Sequence, residues 1–502
     1  MQAEKPKFCG GEIFSTFFTL AYCACGKLPA DLKFEGSSFF DPEWRSGVNP
    51  SGLVDCEITL IVRLRIAGNR TGIPICSSNW SKGVHVTMGE TKQRSRSQRY
   101  LLGSNASDAA GRTLTDITVD LIFVGTLSAT AFQMGLLNTL GSLAFVFASI
   151  PAGHLVDRHS ALKVLRIGLA GKIAVLACLA VLAISGTLNI ALGMMLCVLL
   201  GICNVFSETA QTAAVPRLIG EEPETRAAGI SKLIARLGAA DQSLTVIIPA
   251  LAGTGFALFG GPTLLSLSAA LGGFALMLAW RIRGYRAGST ANEVRDRSAG
   301  YGSMLTGLRY LVSNRLLLAT TVTVALSNLG LAIGSSVEAI FIINDLGFGE
   351  VGFGAYASAS GAGGLIGALL ATRVTGKYSS PALLLWTGLA QMVLASMVLA
   401  AAFTSGIWSI CLLGLQALGW GSVALIFNIS ASSWLVEMVP EELLGRVLSA
   451  RRLLTFGAVP IGSLLGGALG SALGTQAALA GWVAASMLAV SCFLILREPA
   501  NR

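Results

Sequence analysis

A chain of 502 residues that is 53% hydrophobic and only 13% charged, with a mean hydropathy of +0.68, is far from an ordinary soluble domain. In a soluble protein its formal net charge of +9 would suggest an anionic partner; here it reflects basic loops between long apolar runs, and no nucleic-acid partner is expected. What remains is an all-α polytopic membrane protein, and its 59 glycines suit helices that approach closely in lipid.

Residues 1–99 differ from the rest and are expected to form a cytoplasmic N-terminal tail. Phe14 to Cys23 is apolar but short, with Glu12 beside it, and Leu53 to Ile66 carries Asp55, Glu57, Arg63 and Arg65, so neither spans a bilayer. The order of basic start, apolar core and cleavage site that marks a signal peptide is missing. Five of the ten cysteines lie here without metal-ligand spacing, Cys23 and Cys25 being too close for a zinc pair. The other five, Cys178, Cys197, Cys203, Cys411 and Cys492, read as small core residues. A basic run of Lys92, Arg94, Arg96 and Arg99 precedes the first apolar stretch, and Met88 opens it. Met88 is therefore expected to be the natural start, and a chain beginning there is expected to insert and transport normally. The competing reading is a cytoplasmic accessory domain.

Twelve apolar spans follow, near 101–127, 132–154, 164–186, 189–215, 229–253, 259–280, 316–343, 351–372, 381–403, 407–436, 446–473 and 476–496. Basic residues fall in alternate connections: Arg158, Lys163 and Arg166; Arg217 and Arg226; Arg373 and Lys377; Arg446, Arg451 and Arg452. The opposite connections, around Ser128, Gly186, Thr254, Asp345, Thr404 and Thr475, have neither Lys nor Arg. Both termini are therefore expected in the cytoplasm. The longest connection, 281–315, holds Arg283, Arg286, Arg295, Arg297 and Arg309 against Glu293 and Asp296. It separates an expected six-helix bundle at 100–280 from a second at 316–498. The halves echo each other: Val215-Pro216, Arg226 and Gly238 recur as Val439-Pro440, Arg446 and Gly457.

Between the second and third spans runs Pro151-Ala-Gly-His-Leu-Val-Asp157-Arg158-His-Ser-Ala-Leu-Lys163. Gly153 permits close backbone approach, and Asp157 is an anion suited to the positive N-terminal end of a neighbouring helix. An ordinary positive-inside turn is the plainer reading. The loop resembles the helix 2–helix 3 motif of the major facilitator superfamily, Gly-x-x-x-Asp-Arg-x-Gly-basic-basic. Gly153, Asp157, Arg158 and Lys163 match, whereas Ser160, Ala161 and Leu162 depart from it. The resemblance covers about residues 100–498 and implies the superfamily fold: twelve transmembrane helices in two six-helix repeats. It also implies a gating role for Gly153, Asp157 and Arg158, with Asp157 docking near the start of the span at Arg446. The run from Arg446 to Gly474, with Pro460-Ile-Gly462 and Gly466-Gly467, looks most like the bacterial drug- and siderophore-exporter branches. The helix 5 pattern frequent in antiporters is broken, reading Gly238-Ala-Ala-Asp-Gln and then Pro249-Ala-Leu-Ala-Gly253.

Ionisable residues inside a bilayer are costly, so their placement points to function. The third, sixth, ninth and twelfth spans are read as free of interior charge, in keeping with the outer helices of the superfamily fold. Asp108, Arg112, Asp116 and Asp120 lie on the first span, Glu208 on the fourth, Asp241 on the fifth and Glu338 on the seventh. The four on the first span recur every four residues, a stripe that drifts by about 40° per step. Arg112 is within reach of Asp108 and Asp116 along this helix, and sits at a depth close to that of Glu208. Holding a carboxyl out of water favours its neutral form, the property a proton-coupling site requires. Asp116 is the first candidate carrier, Asp120 the next, and Asp108 is expected to stay paired. The alternative is a helix that begins later, with Asp108 and Arg112 in its cytoplasmic flank. Asp241 follows Lys232 and Arg236 and is open to a local salt-bridge ladder. A rim position is the alternative reading of Glu338. Asn328, Asn428, Gln416 and Trp420 are further cavity candidates.

The leading expectation is a proton-coupled exporter of small amphipathic molecules, multi-pass in the plasma membrane and monomeric. Its partners are then the substrate, protons and the lipid bilayer, and no cofactor or metal is expected. A P-loop is missing, and the three histidines, His85, His154 and His159, are not arranged with a nucleophile, so an enzyme is the least expected reading. An uptake permease and a non-transporting scaffold or sensor are the alternatives.

Overall fold

The computed structural model describes residues 88–219, 223–282, 301–375, 377–378 and 380–497. The expectations for residues 1–87, and most of the basic central connection, lie outside these described residues.

Among them the chain forms thirteen α-helices. In the first half these are α1 (Met88–Leu121), α2 (Ala131–Arg158), α3 (Ala161–Ile184), α4 (Ile190–Ala214), α5 (Pro223–Phe259) and α6 (Gly261–Arg281). A short α7 (Tyr301–Ser313) precedes α8 (Arg315–Ile340), α9 (Gly349–Thr375), α10 (Ser380–Ala401), α11 (Ile407–Met438), α12 (Glu441–Leu473) and α13 (Thr475–Arg497). Helices satisfy every backbone group internally, which lipid demands.

Eleven of these helices, α2–α6 and α8–α13, are long and apolar enough to cross a membrane. Twelve spans were expected, and the difference is α1. Its Asp108, Arg112, Asp116 and Asp120 make it too polar to register, yet it packs against α5 and α6 like the others. The helix also runs unbroken through the basic stretch that flanks the first apolar span, so Asp108 and Arg112 lie well inside it.

Helix ends are built from local chemistry. Thr130 and Gln133 form a reciprocal capping box at the start of α2, and Asn189 and Asn314 cap α4 and α8. At the start of α6 and α13 the chain turns through Gly260 (φ 77°) and Gly474 (φ 90°), a conformation that glycine adopts without strain.

The packing repeats in two halves. In the first, α1 contacts α5 and α6, α3 contacts α4 and α6, and α2 contacts α4. In the second, α8 contacts α12 and α13, α10 contacts α11 and α13, and α9 contacts α11. Each first helix also ends alike: α1 passes into a π-turn at Ile122–Thr126, and α8 into one at Phe341–Asp345. Ala129 N then donates to Phe123 O at 2.8 Å, matched by Phe348 N to Ile342 O at 3.1 Å.

The halves meet mainly along α2 with α12 and α5 with α9. Both seams close at the end marked by Ser128 and Gly260. A Cβ on Gly135, Gly467, Gly253 or Gly354 would run into the facing helix backbone there. Thr139 donates to Pro460 O at 3.1 Å and Phe132 N to Ser471 Oγ at 2.7 Å. Phe145 and Phe456 continue the first seam with ring centroids 6.3 Å apart. Toward the end carrying Arg158 and Arg217 these approaches cease, and Gly153 and Gly238 face open space. Between the described helices the seams are closed at one end and parted at the other.

Large apolar side chains cover the outside, among them Phe147, Ile150, Ile167, Trp386 and Trp408. Such a surface suits contact with lipid tails, with tryptophans toward the interfaces.

Candidate functional site

The polar stripe of α1 faces α3, α4 and α5, and its charges find partners on other helices. Asp108 is 2% exposed and accepts from Lys172 Nζ of α3 at 2.6 Å, with Gln211 Nε2 of α4 at 3.4 Å on its other oxygen. This corrects the expectation that the third span is free of interior charge: Lys172 is itself only 1% exposed. Removing either member of this buried pair would strand the other.

Arg112 pairs with Glu208 of α4, the cross-helix partner matched to it by depth. It therefore does not bridge Asp108 and Asp116. The drift of the stripe turns Arg112 toward Glu208, while Asp108 is already held by Lys172. Both members of the Arg112–Glu208 pair are partly exposed, facing the parted side. Asp241 makes no ladder with Lys232 and Arg236, which are exposed; it accepts from Asn105 Nδ2 of α1 at 2.7 Å.

Among the described residues Asp116 and Asp120 form no ion pair. Asp116 is exposed on the same flank of α1, one turn from Asp120. Asp120 lines a cavity of about 370 Å³ between α1, α2, α8 and α12, and Glu338 lines the same cavity from the other half. Asn138, Asn328, Ser335 and Ser463 supply amides and hydroxyls to its wall. A second cavity, of about 410 Å³, lies between α5, α9 and α11 and takes in Gln242, Thr245 and Asn428.

Glu338 is not a rim residue. Tyr356 Oη of α9 lies 2.5 Å from Glu338 Oε1 and 2.9 Å from Gln416 Oε1 of α11. A hydroxyl has one proton, so it can donate to only one of them. If Glu338 is ionised, Tyr356 donates to it, and Gln416 must present its amide nitrogen to Tyr356. If Glu338 is protonated, it donates to Tyr356, and Tyr356 donates to the Gln416 carbonyl. Gln416 is 1% exposed, and its Nε2 has no partner in the orientation observed. The three residues form one hydrogen-bonded chain, in which a proton gained by Glu338 can reverse the direction of donation.

Other expectations fare unevenly. Asn328 and Asn428 line the two cavities, while Trp420 is buried edge-on to Trp482, with centroids 4.8 Å apart. Arg446, Arg451 and Arg452 belong to α12, not to a loop, and Arg451 is buried with Nε unpartnered. Cys178 and Cys411 are exposed on the outer surface of the apolar spans, not core residues. Asp157 and Arg158 are exposed and Gly153 faces open space, so the docking expected of Asp157 is not made in this conformation. The reason is geometric: α2 and α12 have parted at that end. The backbone of Arg446 and Val447 is instead approached by Gly307 of α7.

Lys172, Gln211, Asn105, Tyr356 and Asn138 were missed in the sequence. Lys172 alone had a visible signal, a lone cation midway through an apolar run.

Residues 101–433 match the family model of the Major Facilitator Superfamily. No curated protein matches the chain. Among solved structures it resembles a mutant of the nucleoside transporter NupG, at 16% identity and a TM-score of 0.66, covering 80% of this chain and 100% of that one. A bacterial homologue of the iron transporter ferroportin in an inward-facing state gives 16% identity and a TM-score of 0.62, over 80% and 99% of the two chains. An inward-facing, unoccupied bacterial homologue of the lysosomal transporter Spinster gives 15% and 0.57, over 82% and 99%. At such identities these likenesses speak for the fold alone. With the family model spanning most of the chain and the repeated halves in place, this is a multi-pass membrane protein of the transporter class, not an enzyme, and it belongs to the major facilitator superfamily.

Proposed function

We propose that the chain is a proton-coupled secondary transporter that exports small amphipathic molecules across the plasma membrane by alternating access. One observation carries the reading: the seams between the halves are closed at one end only, and an acid-lined cavity opens beyond them. The basic residues cluster at the parted end, which supports a cytoplasmic side for that end and for both termini, and with it an inward-facing reading of this state. Export, as opposed to uptake, rests on the likeness of the Arg446–Gly474 run to exporter branches.

Coupling is assigned to Asp116, with Asp120 next. Arg112 lies one turn away and is held by Glu208. Protonation of Asp116 would remove its pull on Arg112 and leave the arginine wholly to Glu208 or to substrate. Two charge arrangements of that kind are what a two-state cycle needs. Asp157 acts in the opposite state, docking near the start of α12 when the cytoplasmic end closes. The protein works as a monomer.

A compound panel screened in a pump-deficient host, with and without an uncoupler, tests this reading. Lower accumulation of a compound in expressing cells, abolished by the uncoupler, supports proton-coupled export. Raised accumulation would make the protein an uptake permease, and no change across the panel would favour a scaffold or sensor.

A further inference from the structure

We infer that the lipid-facing surface where α3 begins and α6 ends binds the phosphate headgroup of an anionic phospholipid. Neither helix lines the cavities described above, so the site is separate from whatever the protein carries.

Arg166 of α3 is fixed in place, unlike an ordinary surface cation. Its Nε and Nη2 donate to Ala279 O of α6 at 3.3 and 3.1 Å, and its Cζ stacks 4.6 Å from the Trp280 ring centroid. A guanidinium carries five N–H groups, so several remain to grip an anion in the plane that the indole sets. Lys163 lies one turn earlier on α3 and Arg281 directly after Trp280, and both are exposed. The first turn of α3 holds no acid, so the positive end of its helix dipole adds to Lys163. Neither α3 nor α6 contains an Asp or Glu at all. The nearest acid in sequence, Asp157 at the end of α2, forms no ion pair among the described residues.

The surface beside these cations points to a lipid and not to a free anion. Ile167 of α3 is 70% exposed, and Phe274, Met277 and Trp280 of α6 follow one another at helical spacing, all exposed. A cationic end continued by an apolar stripe matches the headgroup and acyl chains of one molecule, whereas a free anion would use the cations alone. Tryptophan is at home at headgroup level, and basic pockets between helices on the cytoplasmic side suit anionic headgroups. The cluster lies at the parted end, the one read above as cytoplasmic.

The second half serves as an internal comparison. There α10 contacts α11 and α13 as α3 contacts α4 and α6, yet α10 has neither Lys nor Arg. The carbonyl matching Ala279 O, that of Ile495 on α13, is met by Arg315 of α8 at 3.2 Å. Arg373 and Lys377 stand at the end of α9 and in the turn after it, both exposed. They supply the positive charge that orients this half without the fixed arginine, the stacked indole or the paired helix ends. The cations of α3 and α6 thus do more than mark a side of the membrane.

Native mass spectrometry of the purified full chain in detergent tests this. The probes are dioleoyl phosphatidylglycerol, dioleoyl phosphatidylcholine and inorganic phosphate. Phosphatidylglycerol should bind at least about fivefold more tightly than phosphatidylcholine, and Lys163→Gln/Arg166→Gln should weaken it by at least about tenfold. Trp280→Leu, which keeps every charge but removes the stack, should weaken it by about threefold. The charge-matched control Arg373→Gln/Lys377→Gln should stay within about twofold of the parent. Parent-like binding in Lys163→Gln/Arg166→Gln, or an equal loss in the control, overturns the inference. Equal retention of the two lipids overturns it as well, and so does inorganic phosphate bound as tightly as phosphatidylglycerol. Should the double variant not elute as a single species, Lys163→Gln alone decides, since that side chain is exposed. It should weaken phosphatidylglycerol binding by about threefold, and unchanged binding overturns the inference. Transport does not enter the readout, so failure here leaves the transporter reading standing, and failure of that reading leaves this site untouched.

Discussion

The two halves share a frame but differ in chemistry. A Cβ on Gly111 of α1 would meet Ser268 O of α6 at 3.3 Å, and one on Gly330 of α8 would meet Trp482 O of α13 at 3.3 Å. Both first helices end in π-turns, with Ser128 and Gly347 at positive φ in matching places. On that common frame the first half carries interior ion pairs, Asp108 with Lys172 and Arg112 with Glu208. The second presents one carboxylate, Glu338, in a hydrogen-bonded chain through Tyr356 to Gln416. Backbone contacts thus set where helices lie, while a few side chains decide what each half does.

The contrast predicts unequal responses to substitution. The largest should come from Lys172→Met, which strands Asp108 in a nearly dry site; breaking a buried pair in this way costs about 3–5 kcal/mol. Thermal unfolding in detergent should show the loss, and adding Asp108→Leu should restore much of it. Parent-like stability in the single variant would mean the pair does not hold the first half together. Asp116→Asn should abolish accumulation against a gradient while downhill exchange persists, as read by pH-driven flux in proteoliposomes. Full activity would move coupling to Glu208 or Glu338.

Smaller effects separate the remaining parts. Asp157→Asn should weaken the closed cytoplasmic state by roughly 0.3–2 kcal/mol, the range of a charge at a helix end. Transport would fall while membrane expression held, and an unchanged state distribution would remove Asp157 from the gate. In the second half, Tyr356→Phe deletes one hydrogen-bond partner of Glu338 and should cost about 1 kcal/mol. Its stability loss should therefore be well below that of Lys172→Met. Because Glu338 loses the group that tracks its proton, the pH profile of transport should also move; an unaltered profile would make the chain purely structural.

Much of this frame was legible in the sequence, because spans of about 20 apolar residues announce themselves and basic loops orient them. The Arg112–Glu208 pair was foreseeable from the depth of the two residues in separate spans. Lys172 was passed over because its apolar surroundings resemble those of a lipid-facing helix. Tyr356 gave no signal, since it meets Glu338 and Gln416 only through the packing of three helices. The π-turns are likewise backbone features whose residues, Ile122 to Thr126 and Phe341 to Asp345, share no pattern. Asp157 was legible as a motif, but its partner depends on which end of the seam is closed.

Alternating closure is the central claim, and paired spin labels test it without a known substrate. One pair would join exposed His154 of α2 to exposed Arg452 of α12 at the parted end. The other would join Phe259 of α5 to Val351 of α9 at the closed end, where both are well exposed. The account predicts two distance populations for each pair in lipid, shifting reciprocally as pH is lowered: one end shortens as the other lengthens. A single unmoving distance at both ends across pH would contradict it.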